Sequence, residues 1–225
     1  MESNLQWNEL TKKAIDELQR TFRSCPHCFF SEHDIHSSLY NIIKKELKQL
    51  GIDSQTTRDG YTTSLVHHEY PTPFRCDMRK YLFQVKSDNE PTLKGGLYKR
   101  GHYDLVIFNP EFIKNHKLDV VCGKNYQKLQ SILPKLNIEP LIWTCEIIYF
   151  PKNGKLPENA VKIVEQDTLK VKATLNYKIM ENKTFCKTAS VHVFTSFPQT
   201  KTAFLQQETE ALTKKHRIEI TLTTA

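Results

Sequence analysis

Two acidic residues interrupt apolar segments whose patterns are typical of buried β-strands. Asp104 lies within the alternating segment 101–107, and Glu146 lies within 143–148, in the most apolar part of the chain. A carboxylate in a buried strand is unfavourable unless it is paired, protonated or bound to a metal ion. If the two strands are neighbours, the acids form a pair of hard oxygen ligands suited to Mg²⁺ or Mn²⁺, and such an ion can activate water against a phosphodiester. The pattern equally fits two acids that lie at strand ends and are solvated by water.

The hydrophobic periodicity predicts the elements that would position these acids. Helical patterns cover residues 5–22, 31–50, 126–136, 158–180 and 202–215, and strand patterns cover residues 61–70, 82–85, 102–108, 141–150, 190–197 and 216–223. Ser31 and Asp34 have the spacing of a capping box at the start of the second helix. Pro71 and Pro73 are expected to end the first long strand. The order helix, three strands, helix, strand indicates an α/β fold in which helices flank one mixed sheet.

This order of elements and the two acids resemble the PD-(D/E)XK nuclease superfamily, which has the restriction-endonuclease-like fold. The resemblance implies that Asp104 and Glu146 hold a divalent metal ion and take part in catalysis. In the superfamily a lysine two residues after the second acid orients the attacking water. Ile148 occupies that position in this chain.

The resemblance also implies a domain organisation. It covers about residues 31–197, the nuclease-like core of a single domain spanning residues 1–225. Residues 1–30 are expected to form an N-terminal helical extension. Residues 198–225 are expected to form a C-terminal extension made of a helix and a strand.

Ile148 can neither donate a hydrogen bond nor carry charge, which leaves two alternatives. Either the site is inactive, or another lysine supplies the ammonium group. Asp167 and Lys170 are three residues apart on the following predicted helix and therefore share one of its faces. Lys170 ranks ahead of Lys172 and Lys162 as the replacement lysine. The competing interpretation is an ordinary ion pair between Asp167 and Lys170 on a helix surface.

Four further residues are candidates for supporting roles. Glu69 ends the first core strand and is a candidate third metal ligand. Glu46 lies on the second predicted helix, where members of the superfamily often carry a glutamate. Lys99 and Arg100 precede the strand of Asp104 and are predicted to contact phosphates of a nucleic acid. Each residue also fits a simpler surface role, as a solvated side chain or as half of an ion pair.

The cysteine pattern raises a separate question. The N-terminus, Met1-Glu2-Ser3-Asn4, starts polar and acidic and leads into no apolar segment, which predicts a cytoplasmic protein with mostly reduced thiols. The tetrapeptide Cys25-Pro26-His27-Cys28 looks like the redox pair of thioredoxin-like oxidoreductases, but a helix precedes it where those proteins have a strand. A zinc site that combines Cys25 and Cys28 with His33 and His36 is disfavoured, since the intervening loop is much shorter than in a zinc finger. Two unliganded thiols are therefore expected.

Composition restricts the class of protein. Hydrophobic residues make up 39 % and charged residues 25 % of the 225 residues, which is ordinary for a globular domain and excludes a wholly disordered chain. The longest apolar segments are too short to span a bilayer, so no membrane association is expected. The net charge of +7 is compatible with a polyanionic partner and also with a solvated cationic surface.

These observations favour a Mg²⁺- or Mn²⁺-dependent deoxyribonuclease with DNA as its partner. The first alternative is a catalytically inactive nuclease-fold domain that binds nucleic acid or a protein. The second alternative is a redox or zinc protein centred on Cys25 and Cys28. The oligomeric state stays open, a homodimer included.

Overall fold

The computed structural model describes residues 2–78, 83–86, 99–122, 126–151 and 156–225. The helices are α1 (Glu2–Ser24), α2 (Glu32–Gln49), α3 (Pro110–Asn115), α4 (Leu118–Val121), α5 (Tyr126–Ile132), α6 (Ala160–Asn176) and α7 (Gln199–His216). The strands are β1 (Ser54–Thr56), β2 (Thr62–Ser64), β3 (Val66–Asp77), β4 (Gln84–Lys86), β5 (Lys99–Phe108), β6 (Leu141–Phe150), β7 (Lys178–Met180), β8 (Lys183–Thr184), β9 (Cys186–Thr195) and β10 (Glu219–Thr224). Short 3₁₀ turns cover Pro26–Cys28 and Leu133–Lys135.

Six of these strands form one mixed sheet in the order β10-β9-β6-β5-β3-β4. The strands β4, β3, β5 and β6 pair antiparallel, whereas β6 with β9 and β9 with β10 pair parallel. The parallel step from β6 to β9 is the one that α6 connects, as parallel neighbours require. The predicted α/β class, with helices flanking a mixed sheet, is confirmed.

The strand β6 is buried on both of its faces. Cys145 and Ile147 belong to a core cluster that also contains apolar residues of α1 and α2. Ile148 and Phe150 belong to a second cluster formed with α6 and α7. Because successive side chains of a strand point to opposite faces, the two clusters are the two sides of the sheet at β6.

Local sequence signals correctly located both N-terminal helices. The predicted helix at 5–22 is α1, and the predicted helix at 31–50 is α2. At the start of α2 the N–H of Asp34 donates to Ser31 Oγ, and the N–H of Ser31 donates to Asp34 Oδ2 at 2.8 Å. This reciprocal pair is the predicted capping box.

The expected end of the first long strand at Pro71 was wrong. The strand β3 continues through Pro71 and Pro73 to Asp77, and its register with β5 shifts between Pro71 and Arg75. A bulge of this kind accommodates prolines because it removes the positions at which an N–H would have to donate to the ladder. The prediction for 158–180 was also too long, since α6 ends at Asn176 and the chain continues as β7. Part of the predicted strand at 82–85 lies outside the described residues.

The expectation of free thiols at Cys25 and Cys28 was wrong as well. The two residues form a disulfide, with their Cα atoms 5.6 Å apart. The 3₁₀ turn at Pro26–Cys28 brings the two Cα atoms to a separation that suits a disulfide. Cys76, Cys122, Cys145 and Cys186 are free thiols. Among the described helices, none combines the length and the apolar character that a bilayer span requires.

Candidate active site

The strands β5 and β6 separate at the level of the two acids. Their pairing extends to Leu105 and Cys145, so Asp104 and Glu146 are the next residues in register. Beyond this point the N–H of Ile147 donates to Asp104 Oδ2 at 2.5 Å. The Asp104 carboxylate therefore fills the fork between the strands, and the backbone of β6 holds it in position.

The acid on β6 is paired with the lysine on α6. Lys170 Nζ lies 2.6 Å from Glu146 Oε2, and the two residues are only 6 % and 1 % exposed. The same Nζ donates to the carbonyl oxygen of His102 at 3.1 Å and lies 3.3 Å from Asp167 Oδ1. Glu146 Oε1 is buried and has no hydrogen-bond partner. The site thus combines a fixed ammonium group with a free carboxylate oxygen.

Burial and charge shift the pKa values of this group. Burial raises the pKa of Asp104 to about 7, against the attraction of the Lys170 ammonium. Burial also raises the pKa of Glu146 well above its usual range. Burial opposes the charge on Lys170, but Glu146 and Asp167 outweigh it and raise the pKa of Lys170. Lys170 therefore stays charged. It is the one cation that the described residues place within the group, and the acids around it outnumber it.

A histidine from α2 completes a set of potential metal ligands. The ligand atoms of His36, Glu69 and Asp104 all lie within 4.8 Å of one another. His36 Nε2 lies 3.5 Å from Asp104 Oδ2 and has no hydrogen-bond partner. Burial lowers the pKa of His36 to about 4, so its imidazole is neutral at physiological pH, as a metal ligand must be. The donor set of one nitrogen and two carboxylates suits a divalent cation.

The backbone of Glu69 is held in a conformation that non-glycine residues rarely adopt. Its φ is +53°, in the left-handed region. Its neighbours His68 and Tyr70 pair with Leu105 and Tyr103 on β5, which places Glu69 opposite Asp104. Such a conformation costs on the order of 1–3 kcal/mol and is concentrated at functional sites.

The structure brings together most of the residues that the sequence singled out, but not all. Asp104, Glu146, Lys170 and Asp167 form one group, and Glu69 approaches it from β3. Glu46 is not part of this group. Its Oε2 lies 2.6 Å from Lys13 Nζ, so it pairs α2 with α1, which agrees with the ion-pair alternative.

Three other predicted positions have different outcomes. Ile148 is 4 % exposed and packs in the second core cluster, among apolar residues of α6 and α7. Ile148 therefore contributes to the packing of this core cluster. Lys99 and Arg100 begin β5, but their side chains lie outside the described residues.

Two residues at the start of α2, Glu32 and His36, were not predicted to lie at this site, and His36 was considered only as a zinc ligand beside Cys25 and Cys28. Glu32 Oε2 accepts a hydrogen bond from the N–H of Tyr149 at 3.2 Å, further along the edge of β6 that Asp104 also caps. Partial burial raises the pKa of Glu32, whose side chain is 48 % exposed. His36 lies one turn after Glu32, with Nε2 at 3.9 Å from Glu32 Oε1. The i,i+4 spacing of an acid and a histidine directly after a helix cap was the available signal.

A second buried polar cluster lies on β9 and β10. Ser190 Oγ is 2.8 Å from His192 Nε2, and His192 Nδ1 is 2.8 Å from Thr221 Oγ1. The cluster borders a cavity of about 490 Å³ between α1 and the sheet. Burial lowers the pKa of His192 to about 3. A serine–histidine contact of this kind resembles a nucleophile and its base, but a threonine stands where a carboxylate would orient the imidazole.

Comparison with known proteins found no match: no protein-family model fits the chain, and neither a curated protein nor a solved structure is similar to it. Inference about function therefore rests on the geometry of the acids, the lysine and the histidine at the fork between β5 and β6.

Proposed function

We propose that this chain is a metal-dependent nuclease that hydrolyses phosphodiester bonds in DNA, with its active centre at the fork between β5 and β6. The contact between Lys170 Nζ and Glu146 Oε2, at 2.6 Å, is the observation that carries the proposal. It supplies an ammonium group beside the second acid, although Ile148 replaces the lysine of the PD-(D/E)XK motif.

The element order supports the proposal. The succession α2, β3, β5, β6, α6, β9 agrees with the helix, three strands, helix and strand of the restriction-endonuclease-like core. The antiparallel run of β3, β5 and β6, followed by the parallel neighbour β9, keeps that order within one sheet. Asp104 and Glu146 then occupy the second and third core strands, as the acids of the superfamily do.

The chemistry follows from the groups at the fork. Asp104 and Glu69, with Glu146 as a further carboxylate, would hold Mg²⁺ or Mn²⁺, which would supply an activated water and offset charge on the scissile phosphate. Lys170 keeps its proton at Nζ and stabilises negative charge that develops on the phosphate or on the attacking oxygen. The unpartnered Oε1 of Glu146 can accept a hydrogen bond from the attacking water.

The proposed substrate agrees with the charge of the chain. A net charge of +7 favours a polyanion, because lysine and arginine side chains release counterions when they contact phosphates. Lys99 and Arg100 are the first two residues of the strand that carries Asp104 and remain candidates for these contacts.

Cleavage of DNA by the purified full chain tests the proposal. Supercoiled plasmid and single-stranded oligonucleotides are incubated with Mg²⁺ or Mn²⁺, and products are resolved on gels. We expect metal-dependent cleavage that EDTA abolishes. We expect Asp104→Asn to lower the rate by about 100-fold or more, since it removes a carboxylate that positions both the ion and the strand fork.

Asp119→Asn is the matched control, because Asp119 forms a surface ion pair with Lys128, with the interacting oxygen and nitrogen 2.6 Å apart. This variant should cleave like the unmodified chain. Absence of cleavage with either metal, or full activity in folded Asp104→Asn, would contradict the proposal.

The packing of Ile148 favours a second candidate function. Since this residue is buried among apolar side chains and Lys170 is tied to Glu146, the fold can also serve as an inactive nuclease-like domain that binds nucleic acid or a protein. This alternative predicts salt-sensitive DNA binding that survives Glu146→Ala, without cleavage. Binding indifferent to salt would contradict its electrostatic form.

A further inference from the structure

We propose that His36, Glu69 and Asp104 form a mixed nitrogen–oxygen metal site that selects Mn²⁺ over Mg²⁺. This ion would be the one that the proposed nuclease uses, so the role of the site in catalysis rests on the proposed function. Metal binding itself can be measured without any assay of cleavage.

The geometry of the three side chains is close to that of a ligand set. Bonds to such ions are about 2.1 Å long, so two ligands of one ion lie at most about 4.2 Å apart. His36 Nε2 and Asp104 Oδ2 already satisfy this limit at 3.5 Å, and all three ligand atoms lie within 4.8 Å of one another. Glu69 is the exposed member of the set, and its carboxylate would move toward the other two ligands when all three bind one ion.

The buried nitrogen of His36 is the second observation that points to a ligand. His36 is 6 % exposed, and its Nε2 has no hydrogen-bond partner. A buried polar atom without a partner costs about 1–3 kcal/mol. The atom faces the Asp104 carboxylate, and a cation placed between them would satisfy both groups.

The charges around the site favour a bound cation. Glu69 and Asp104 belong to the ligand set, and Glu32 and Glu146 lie beside it. Lys170 is committed to Glu146, Asp167 and the carbonyl oxygen of His102. A divalent ion would balance the carboxylates that Lys170 leaves uncompensated, while the strained backbone of Glu69 holds one of them at the site.

The imidazole determines which ion is preferred. Mg²⁺ favours an all-oxygen octahedron and exchanges its waters for nitrogen reluctantly. Mn²⁺ accepts carboxylate oxygens as readily and binds imidazole more favourably. Replacing His36 should therefore reduce affinity for Mn²⁺ more than affinity for Mg²⁺.

Calorimetric titration of the metal-free full chain with MnCl₂ and with MgCl₂, at one fixed pH, tests the site. We expect a dissociation constant about tenfold or more lower for Mn²⁺ than for Mg²⁺. His36→Asn should weaken Mn²⁺ binding by about 10- to 100-fold and change Mg²⁺ binding much less. His33→Asn is the matched control, since His33 is an exposed histidine on the same helix with its ring 6.3 Å from that of His36.

Glu69→Gln provides a second variant should His36→Asn fail to fold, because Glu69 is exposed and its replacement leaves the core intact. It should also weaken Mn²⁺ binding by about tenfold or more. Equal affinities of the unmodified chain for the two ions, or unchanged Mn²⁺ affinity in folded His36→Asn or Glu69→Gln, would overturn the inference.

Metal binding and DNA cleavage together distinguish failure of the metal-site inference from failure of the proposed nuclease function. Mn²⁺ binding that depends on His36, in a chain that cleaves no DNA, would support the site and contradict the proposed function. DNA cleavage that requires Asp104 but does not depend on His36 would support the proposed function and contradict the metal site.

Discussion

Two polar clusters lie on the same sheet, and they are built differently. The fork cluster, formed by His36, Glu69, Asp104, Glu146 and Lys170, is charged and contains two buried atoms without hydrogen-bond partners. The strand cluster, formed by Ser190, His192 and Thr221, is neutral, and both ring nitrogens of its histidine have partners.

The difference separates a structural network from a candidate site. Ser190 and Thr221 satisfy His192 from the strands on which they lie, so that network needs nothing further to be stable. The fork leaves His36 Nε2 and Glu146 Oε1 without partners, and it surrounds one ammonium group with several carboxylates. Binding of a cation or a substrate would supply the partners that the fork cluster lacks. The strand cluster already has its partners within the chain.

Removing the fork lysine should have the largest effect on stability. Lys170→Met leaves Glu146 buried without its cation, and we expect a loss of about 3–5 kcal/mol in the free energy of unfolding at pH 8. The double variant Lys170→Met/Glu146→Gln should recover part of this loss, because no uncompensated carboxylate then remains on β6. Urea unfolding in metal-free buffer measures both values. If Lys170→Met were as stable as the unmodified chain, the ion pair between Lys170 and Glu146 would not be buried as described.

The strand cluster should make the free energy of unfolding depend on pH. The pKa of His192 is about 3 in the folded chain and near its ordinary value of 6.5 when unfolded. Between these values the unfolded chain binds a proton that the folded chain does not, so stability falls as pH falls below 6.5, by about 1.4 kcal/mol per pH unit. Relative to His192→Gln, the unmodified chain should therefore lose about 2 kcal/mol between pH 7.5 and 5.

Urea unfolding at several pH values measures this difference, and His27→Gln serves as a control because His27 is exposed. The control should follow the unmodified chain at every pH. Parallel pH profiles for the unmodified chain and His192→Gln would show that His192 titrates normally and is not held neutral by burial.

The sequence contained enough information to predict most of the elements. The segment from Leu141 to Phe150 is apolar except for Thr144 and Glu146 and is bounded by prolines, and it forms β6 with those limits. The errors arose where tertiary structure overrides local signals. Pro71 was expected to end β3, but a bulge lets the strand continue, and a bulge depends on the partner strand as much as on the proline.

The candidate site was predictable only in part, for a geometric reason. The order of the strands places Asp104 beside Glu146, and the parallel connection returns α6 over the sheet, so the proximity of Lys170 followed from topology. Periodicity gives the buried face of α2 but not which of its turns lies over the fork. Glu46 and His36 are ten residues apart, about 15 Å along the helix axis. The N-terminal part of α2 reaches the fork, whereas the residue that the superfamily resemblance suggested on this helix, Glu46, lies near its other end.

Diffraction from crystals soaked in Mn²⁺ tests most directly whether the fork is a metal centre and the strand cluster is not. We expect an anomalous peak between His36 Nε2 and the carboxylates of Glu69 and Asp104, with Lys170 still beside Glu146. We expect no peak at Ser190, His192 and Thr221. A fork without a peak at millimolar Mn²⁺, or a peak bound only at the strand cluster, would contradict the account.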